Sequence, residues 1–182
     1  MNIEVKAWVG NLGKYNEGEL VGEWVEFPID EDEWEAVLER IGIGQQVDPD
    51  DPMYGIYEEI FFADYDSELP LYENFGEYPR YEDLNELAEE MEGIEDDDVF
   101  EAILGNETSI SSAIATYKGG EWRDYPGCRD MSDVAAMICN DDPAFTEAAD
   151  FMQRHFDFQS YGEELDSIGT FLPYDGGYVE VW

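Results

Sequence analysis

The sequence has very little positive charge. Only eight of its 182 residues are Lys or Arg, against 47 Asp or Glu, and the formal net charge is −39 at pH 7. A protein that binds nucleic acid directly needs a basic face, and this chain has too few cations to build one. The composition therefore excludes direct nucleic-acid binding and leaves most of the negative charge uncompensated.

Histidine and cysteine are also scarce, which removes most catalytic and metal-binding chemistry. A nucleophilic triad or dyad would have to use the single histidine, His155, and no residue is marked as its partner. One histidine with Cys128 and Cys139 cannot form a standard zinc site. Gly-rich phosphate-binding loops are missing as well. We therefore expect no enzyme, no cofactor and no standard metal site.

Long apolar runs are missing too. No stretch approaches the 18 uninterrupted apolar residues typical of a transmembrane helix, and the N-terminus lacks the basic and apolar regions of a secretory signal. We therefore expect a cytoplasmic protein that does not bind membranes. In that compartment Cys128 and Cys139 should be reduced thiols in or near the core.

What the sequence does contain is charge on the scale of a nucleic acid. Duplex DNA carries one negative charge per about 1.7 Å of axis, so 39 charges correspond to about 66 Å, or roughly 20 base pairs. The 15% aromatic content argues against a disordered acidic chain. Composition alone leaves three interpretations open: a folded DNA mimic, the acidic surface of a salt-adapted protein, and calcium binding. The Asp-rich segments fail the spacing of an EF-hand loop.

The acidic residues are concentrated in the middle of the chain. Residues 41–117 hold 22 acids and a single base, Arg80, and no Lys or Arg occurs between Arg80 and Lys118. A general bias towards solubility would not produce this gradient. We therefore expect one continuous negative surface centred on this segment.

Hydrophobic patterns predict a mixed α+β fold in three small units. In the first, residues 1–68, the alternation from Ile3 to Val9 predicts a strand, with further strands over 20–27 and 57–65. A helix should begin after Asp30, which forms a capping box with a glutamate three residues later. These elements predict a small antiparallel sheet with one helix.

The second predicted unit, residues 69–117, is a bundle of short helices. Over Tyr81–Met91 the apolar residues recur at helical spacing, while the remaining positions carry five acids and no base. Carboxylates three or four residues apart on a helix lie about 5–6 Å from each other. This is comparable to the spacing of phosphates along a DNA strand, so such a ridge can imitate a DNA backbone.

The third predicted unit, residues 118–182, mixes helices with strands. A helix over 145–156 is expected to direct Phe151 and Met152 towards the core. Asp175-Gly176-Gly177 lies between two strand-like segments and predicts a hairpin. The unit therefore returns to the α+β class.

Several segments resemble the ArdA antirestriction proteins, and they occur in order along nearly the whole chain. The matching segments are Trp8–Trp24, Glu58–Tyr65, Leu84–Ala88, Gly127–Ala135 and Tyr161–Phe171. The sequence departs from the family pattern by extra length around residues 44–52 and 118–126, which we interpret as local insertions.

The resemblance implies a specific function, and the alternative that stays open beside it is an acidic binding module for another basic DNA-binding protein. ArdA proteins are carried by mobile genetic elements, and they inhibit type I restriction–modification enzymes by imitating bent B-form DNA in the DNA site of the methyltransferase core. The family fold is an elongated, curved chain of three small units that forms a homodimer through the C-terminal units. Acidic residues are therefore the expected partner-binding residues: Asp30, Glu31, Asp32, Glu33, Glu35, Asp64, Asp66, Glu68, Glu82, Asp83, Glu86, Glu89, Glu90, Asp96, Asp97 and Asp98. Phe156, Phe158 and Tyr161 are the candidate dimer contacts.

Overall fold

Each half of the chain is built around its own three-stranded antiparallel sheet. The computed structural model describes residues 3–51, 53 and 55–182, and the chain divides into the units Met1–Gly93 and Ile94–Trp182. The predicted α+β class is confirmed. The division into three units stays a prediction, and its central segment contributes helices to both observed units.

The elements are numbered in chain order. The first unit contains β1 (Val5–Asn11), α1 (Leu12–Asn16), β2 (Gly22–Phe27), α2 (Glu31–Arg40), β3 (Ile60–Asp66), α3 (Leu71–Phe75) and α4 (Tyr81–Met91). The second unit contains α5 (Asp97–Asn106), α6 (Ile110–Gly119), β4 (Trp122–Pro126), α7 (Met131–Asp141), α8 (Pro143–Thr146), α9 (Asp150–Arg154), α10 (Phe158–Ile168), β5 (Thr170–Tyr174) and β6 (Gly177–Val181).

The first sheet has the order β2-β1-β3, and its central strand shows the predicted alternation. Val5, Ala7 and Val9 are buried on one face, as expected for a strand whose apolar positions recur every two residues. The Trp8 ring lies on the opposite face, over Gly10 and over Gly22, which is the cross-strand partner of Gly10. A Cβ at either glycine would come within 2.4–2.5 Å of the Trp8 ring, so the ring occupies space that only glycine leaves free.

The helix α2 begins where the sequence predicts. The Asp30 side chain accepts a hydrogen bond from the Glu33 backbone N–H at 2.8 Å and caps the first turn. The buried Trp34 then stacks on Phe62 of β3 with 6.5 Å between ring centroids. After the helix the chain turns at Gly42, whose φ of 86° favours glycine. This helix therefore covers the face of the sheet that carries Val5, Ala7 and Val9.

The second sheet has the order β4-β6-β5, and β5 and β6 form the hairpin that the sequence predicts. Its core includes Phe100 of α5, Tyr125 of β4, Val134 of α7 and Val179 of β6, each no more than 1% exposed. The two cysteines are free and buried, which confirms the interpretation as core thiols. Within the described residues, no helix is long and apolar enough to cross a bilayer.

The helix predicted over 145–156 is wrong in extent and orientation. The structure has two short helices there, α8 and α9, separated by Ala149 in an extended conformation. The Gln153 side chain donates to the carbonyls of Thr146 and Ala148 at 3.0 and 2.8 Å and so satisfies the groups left free at the break. Phe151 and Met152 are 61% and 57% exposed rather than directed into the core.

Helix α10, which the hydrophobic pattern does not predict, packs against α7 at a close backbone approach. A Cβ at Gly162 would lie 2.5 Å from the Met131 carbonyl oxygen and 3.0 Å from the Ser132 nitrogen. These are backbone atoms at the start of α7, so they cannot move aside as the end of a flexible side chain could. Gly162 therefore sets the distance between the two helices.

We expect Gly162→Ala to lower the free energy of unfolding by about 1–3 kcal/mol, because the added methyl group forces the helices apart. Gly105→Ala in α5 is the matched control, since a Cβ there would meet nothing within 4 Å. Alanine has the higher helix propensity, so this control should be neutral or stabilising by up to about 1 kcal/mol. Urea unfolding followed by circular dichroism measures both. Equal stability of Gly162→Ala and the unmodified protein would contradict the close approach.

Candidate acidic partner-binding surface

Helix α4 has the predicted bounds and the predicted two faces. Leu84, Leu87, Ala88 and Met91 are buried and attach the helix to the first unit. The opposite side carries the exposed carboxylates of Glu82, Glu86 and Glu89, together with Asp83 and Glu90, which are partly buried. Neighbouring members are three or four residues apart, so this face is a ridge of like charge.

The first turns of α2 carry a second group of carboxylates. Glu31, Asp32 and Glu35 are exposed, and none of their carboxylates forms an ion pair or hydrogen bond with another described residue. Negative charge at a helix N-terminus is favoured by the helix dipole. The helix N-terminus therefore offsets part of the cost of placing these charges side by side without a cation.

The structure brings the two helices together through two contacts. The Asn85 side chain of α4 forms two hydrogen bonds with the backbone of Ile29, donating to its C=O and accepting from its N–H, both at 2.8 Å. One helical turn away, Tyr81 stacks on Trp34 of α2 with 4.7 Å between ring centroids and 16° between ring planes. We call the six carboxylates that these contacts hold in one unit the α2–α4 acidic surface: Glu31, Asp32, Glu35, Glu82, Glu86 and Glu89.

Tyr81 reports the proximity of these carboxylates. Burial, followed by the negative charges of Glu82, Glu31 and Glu35, raises the pKa of the Tyr81 hydroxyl above its ordinary value. Two of the three charges belong to α2 and one to α4. The carboxylates of both helices therefore act on the same point of the surface.

Other predicted site residues of the first unit are bonded within the fold. Asp30 caps α2, and Glu33 forms an ion pair with Arg40 at 2.8 Å. Asp83 pairs with Arg80, and this hydrogen bond lowers the pKa of the Asp83 carboxyl below its usual value. These carboxylates stabilise local structure, so they present less free charge than their neighbours do.

The register of the first sheet separates another predicted pair from the α2–α4 acidic surface. Asp66 lies opposite Lys6 and Asp64 opposite Trp8, on the face that does not carry Val5, Ala7 and Val9. Because α2 covers the other face, Asp64 and Asp66 are on the far side of the sheet. Glu68 is exposed in the turn that follows β3.

In the second unit, the predicted carboxylates lie at the start of α5. Asp96 caps the helix by accepting from the Val99 N–H at 3.1 Å, Asp98 is exposed and Asp97 is partly buried. Burial and a hydrogen bond to Asp124, with smaller contributions from Asp96 and Asp98, raise the pKa of Tyr174 well above its ordinary range. The start of α5 therefore forms a second acidic cluster together with Asp124.

The few cations do not interrupt the outer face of either acidic helix. Five of the eight form ion pairs with carboxylates among the described residues: Lys6, Arg40, Arg80, Arg123 and Arg129. Arg40 lies at the end of α2 and Arg80 just before α4, and the Lys14 ammonium lies close to Gly42 beyond the end of α2. The six carboxylates of the α2–α4 acidic surface form no ion pair with a described cation. Within the described residues, no three potential metal ligands converge as they would around an ion.

The candidate dimer residues lie in an aromatic cluster of the second unit. Phe156 is 5.1 Å from both Phe145 and Phe158, measured between ring centroids, and 5.7 Å from Tyr161. The exposed Phe151 and Met152 line an adjoining groove of about 550 Å³ with Phe145 and Phe156. The single histidine, His155, lines the same groove and is exposed.

Sequence reasoning missed the residues that join the two acidic helices. Asn85 follows Leu84 within the apolar stripe of α4, and nothing local indicates that its partner is a backbone peptide 56 residues away. The Trp34–Tyr81 stack is equally non-local. The only signal was that Asn85 falls inside one of the segments that resemble the ArdA family.

Comparison with known proteins supports that resemblance. The model of the antirestriction protein (ArdA) family matches residues 7–180, almost the entire chain. The chain belongs to the ArdA antirestriction family. No curated protein matches it. The family is one of inhibitors rather than known enzymes, and its members act against restriction enzymes.

Proposed function

We propose that this ArdA-family protein is a DNA mimic that occupies the DNA-binding site of type I restriction–modification enzymes in the cytoplasm. The observation that carries the proposal is the α2–α4 acidic surface, where carboxylates of two helices are held in one unit and none of the six forms an ion pair with a described cation. The enzyme's methyltransferase core binds DNA through a basic channel, and a fixed array of negative charges is complementary to it. Restriction is then blocked by competition, and methylation by the same core is blocked with it.

The physical advantage of a folded array is that its charges are already in place. Free acidic peptides would lose conformational freedom on entering the channel, whereas the carboxylates of α2 and α4 are fixed by the fold. Opposite fields also accelerate the encounter of the two proteins, and salt screens this attraction. Binding should therefore be fast and sensitive to ionic strength.

A competition experiment tests the proposal directly. The protein is titrated into a complex of a type I methyltransferase core with a fluorescent duplex that contains its recognition site. We expect displacement at near-stoichiometric protein, and an apparent affinity at least about tenfold weaker when salt rises from about 0.1 M to about 0.3 M. Fluorescence anisotropy measures both effects.

Poly-glutamate with the same number of charges is the control for a non-specific polyanion effect. It should compete much more weakly, because its charges are not fixed in space. Failure of the folded protein to displace the duplex, or displacement no better than that by poly-glutamate, would contradict DNA mimicry.

We expect the binding energy to be distributed over the carboxylates. A single Glu→Gln change at Glu82, Glu86 or Glu89 should weaken inhibition by less than about fivefold, since exposed charges each contribute about 0.2–1 kcal/mol. The triple variant E82Q/E86Q/E89Q should weaken it about tenfold or more. Inhibition constants from the competition assay provide the measurement.

The matched control is E163Q/E164Q/D166N, which removes three exposed charges from α10 in the second unit. If position matters, this control should retain more activity than the α4 triple variant. Equal losses would show that only net charge matters. Complete loss of inhibition from one folded single variant would contradict a distributed array.

We further propose that two copies associate through the second unit. Phe151, Met152 and Phe156 are 61%, 57% and 39% exposed, and the Phe156 ring contacts the rings of the other predicted contacts, Phe158 and Tyr161. Residues 143–156 carry only two acids and one Arg. Two chains with a charge of −39 each repel one another least where local charge is low and apolar area is available.

Sedimentation velocity tests this association. We expect a dimer for the unmodified protein and a monomer for F151S/M152S, because the substitutions remove the most exposed apolar side chains of the patch. Leu20→Ser is the control, since Leu20 is 74% exposed but lies in the first unit. A monomeric unmodified protein, or a dimer that survives F151S/M152S, would contradict the proposal.

A further inference from the structure

The Asn85 side chain joins α4 to the residue just before α2 by two hydrogen bonds, to the N–H and to the C=O of Ile29. Its Nδ2 donates to the Ile29 C=O and its Oδ1 accepts from the Ile29 N–H, each at 2.8 Å. Ile29 directly precedes Asp30, the capping residue of α2. The amide of Asn85 therefore holds the chain at the point where α2 begins.

The Trp34–Tyr81 stack forms a second link between the same two helices. Trp34 lies five residues after Ile29, whereas Tyr81 lies four residues before Asn85. On the α2 side the hydrogen-bonded residue comes first, whereas on α4 the stacked ring comes first. In each segment the two links are about one helical turn apart. Two separated links restrict both the distance and the relative rotation of the helices, whereas one link would leave a pivot.

The α2–α4 acidic surface depends on this restriction. Glu31 and Glu35 follow the linked peptide on α2, and Glu82 and Glu86 flank Asn85 on α4. Their carboxylates repel one another, so the charge itself would drive the two helices apart. A neutral amide can oppose this repulsion without cancelling any of the negative charge, which a Lys or Arg in its place would do.

We propose that Asn85 is a positioning residue for the α2–α4 acidic surface, which it keeps in one array by fixing the start of α2 against α4. The inference rests on the proposed function, because it says that Asn85 determines the spacing of the carboxylates that contact the enzyme. Asparagine suits this role because its side chain has both a donor for the Ile29 C=O and an acceptor for the Ile29 N–H. Aspartate has the same shape but lacks the donor, and alanine lacks both groups.

A measurement on the protein alone tests the positioning. Tyrosine labelled with ¹³C at Cζ is titrated by NMR, with Tyr81→Phe assigning the Tyr81 signal. In the unmodified background E31Q/E35Q should lower the pKa of Tyr81, because two nearby negative charges are removed. In the Asn85→Ala background the same pair of changes should have less than about half of that effect, since α2 is no longer held beside α4. An equal effect in both backgrounds would overturn the proposal.

Inhibition provides the second readout, with Asn85→Asp as the variant. The substitution keeps the shape of the side chain and adds one negative charge. If binding depended only on the total charge, this variant should bind the enzyme equally or more tightly. A surface that depends on positioning should bind about tenfold more weakly, because the Ile29 carbonyl now faces a carboxylate. Inhibition by Asn85→Asp equal to or stronger than that of the unmodified protein would overturn the proposal.

Two controls separate positioning from loss of stability and from failure of the proposed function. Val179→Ala removes buried volume from the second sheet, which carries neither link, and while folded it should inhibit normally. If Asn85→Ala does not fold, the titration is performed with Asn85→Asp. The added charge does not disturb the comparison, because the pKa of Tyr81 with and without E31Q/E35Q is measured in the same Asn85→Asp background. If the unmodified protein does not inhibit the enzyme, the proposed function fails, while the titration still decides whether Asn85 positions the carboxylates.

Discussion

Repulsion among 47 carboxylates with only eight cations to offset them is the constraint on which the rest of this structure depends. Excess charge of one sign destabilises a compact state, so apolar burial and hydrogen bonding must exceed that cost. The protein meets this requirement in two separate units, each with a sheet and buried aromatic residues such as Phe62 and Phe100. The 15% aromatic content is thus the counterpart of the acidic surface, because large rings supply much buried area per residue.

The carboxylates have two different roles. Some satisfy the backbone: Asp30, Asp96 and Asp130 accept hydrogen bonds at the starts of α2, α5 and α7. Negative charge is favourable at these positions because the helix N-terminus carries a partial positive charge. Glu86 and Glu89, which are exposed beyond the first turn of α4, have no such compensation from a helix N-terminus. Five Asp side chains cap helices among the described residues, which is a small part of the 47 acids, so most of the negative charge is not used at helix starts.

Local signals in the sequence predicted the elements that depend on local interactions. The α4 stripe, the Asp30 cap and the β5–β6 hairpin all follow from periodicity or turn chemistry, and the structure confirms them. The helix expected over 145–156 was wrong because the break at Ala149 depends on Gln153 reaching back to two carbonyls, which no periodicity reveals. The pairing of α2 with α4 could not be predicted from the sequence either. It depends on an amide and a peptide 56 residues apart, and on two rings that meet only in the folded chain.

Helix α4 shows how the charge surface and the stability of the fold oppose each other. It has no side-chain cap and no base in its last turn, and Glu86 lies four residues from both Glu82 and Glu90. Glu82 and Asp83 are favoured at its N-terminus, but Glu89 and Glu90 lie where the dipole disfavours negative charge. An isolated peptide of this sequence would therefore be a weak helix. Its order must come from the buried stripe of leucines and from the links to α2, so the same contacts that form the helix also determine where its charges lie.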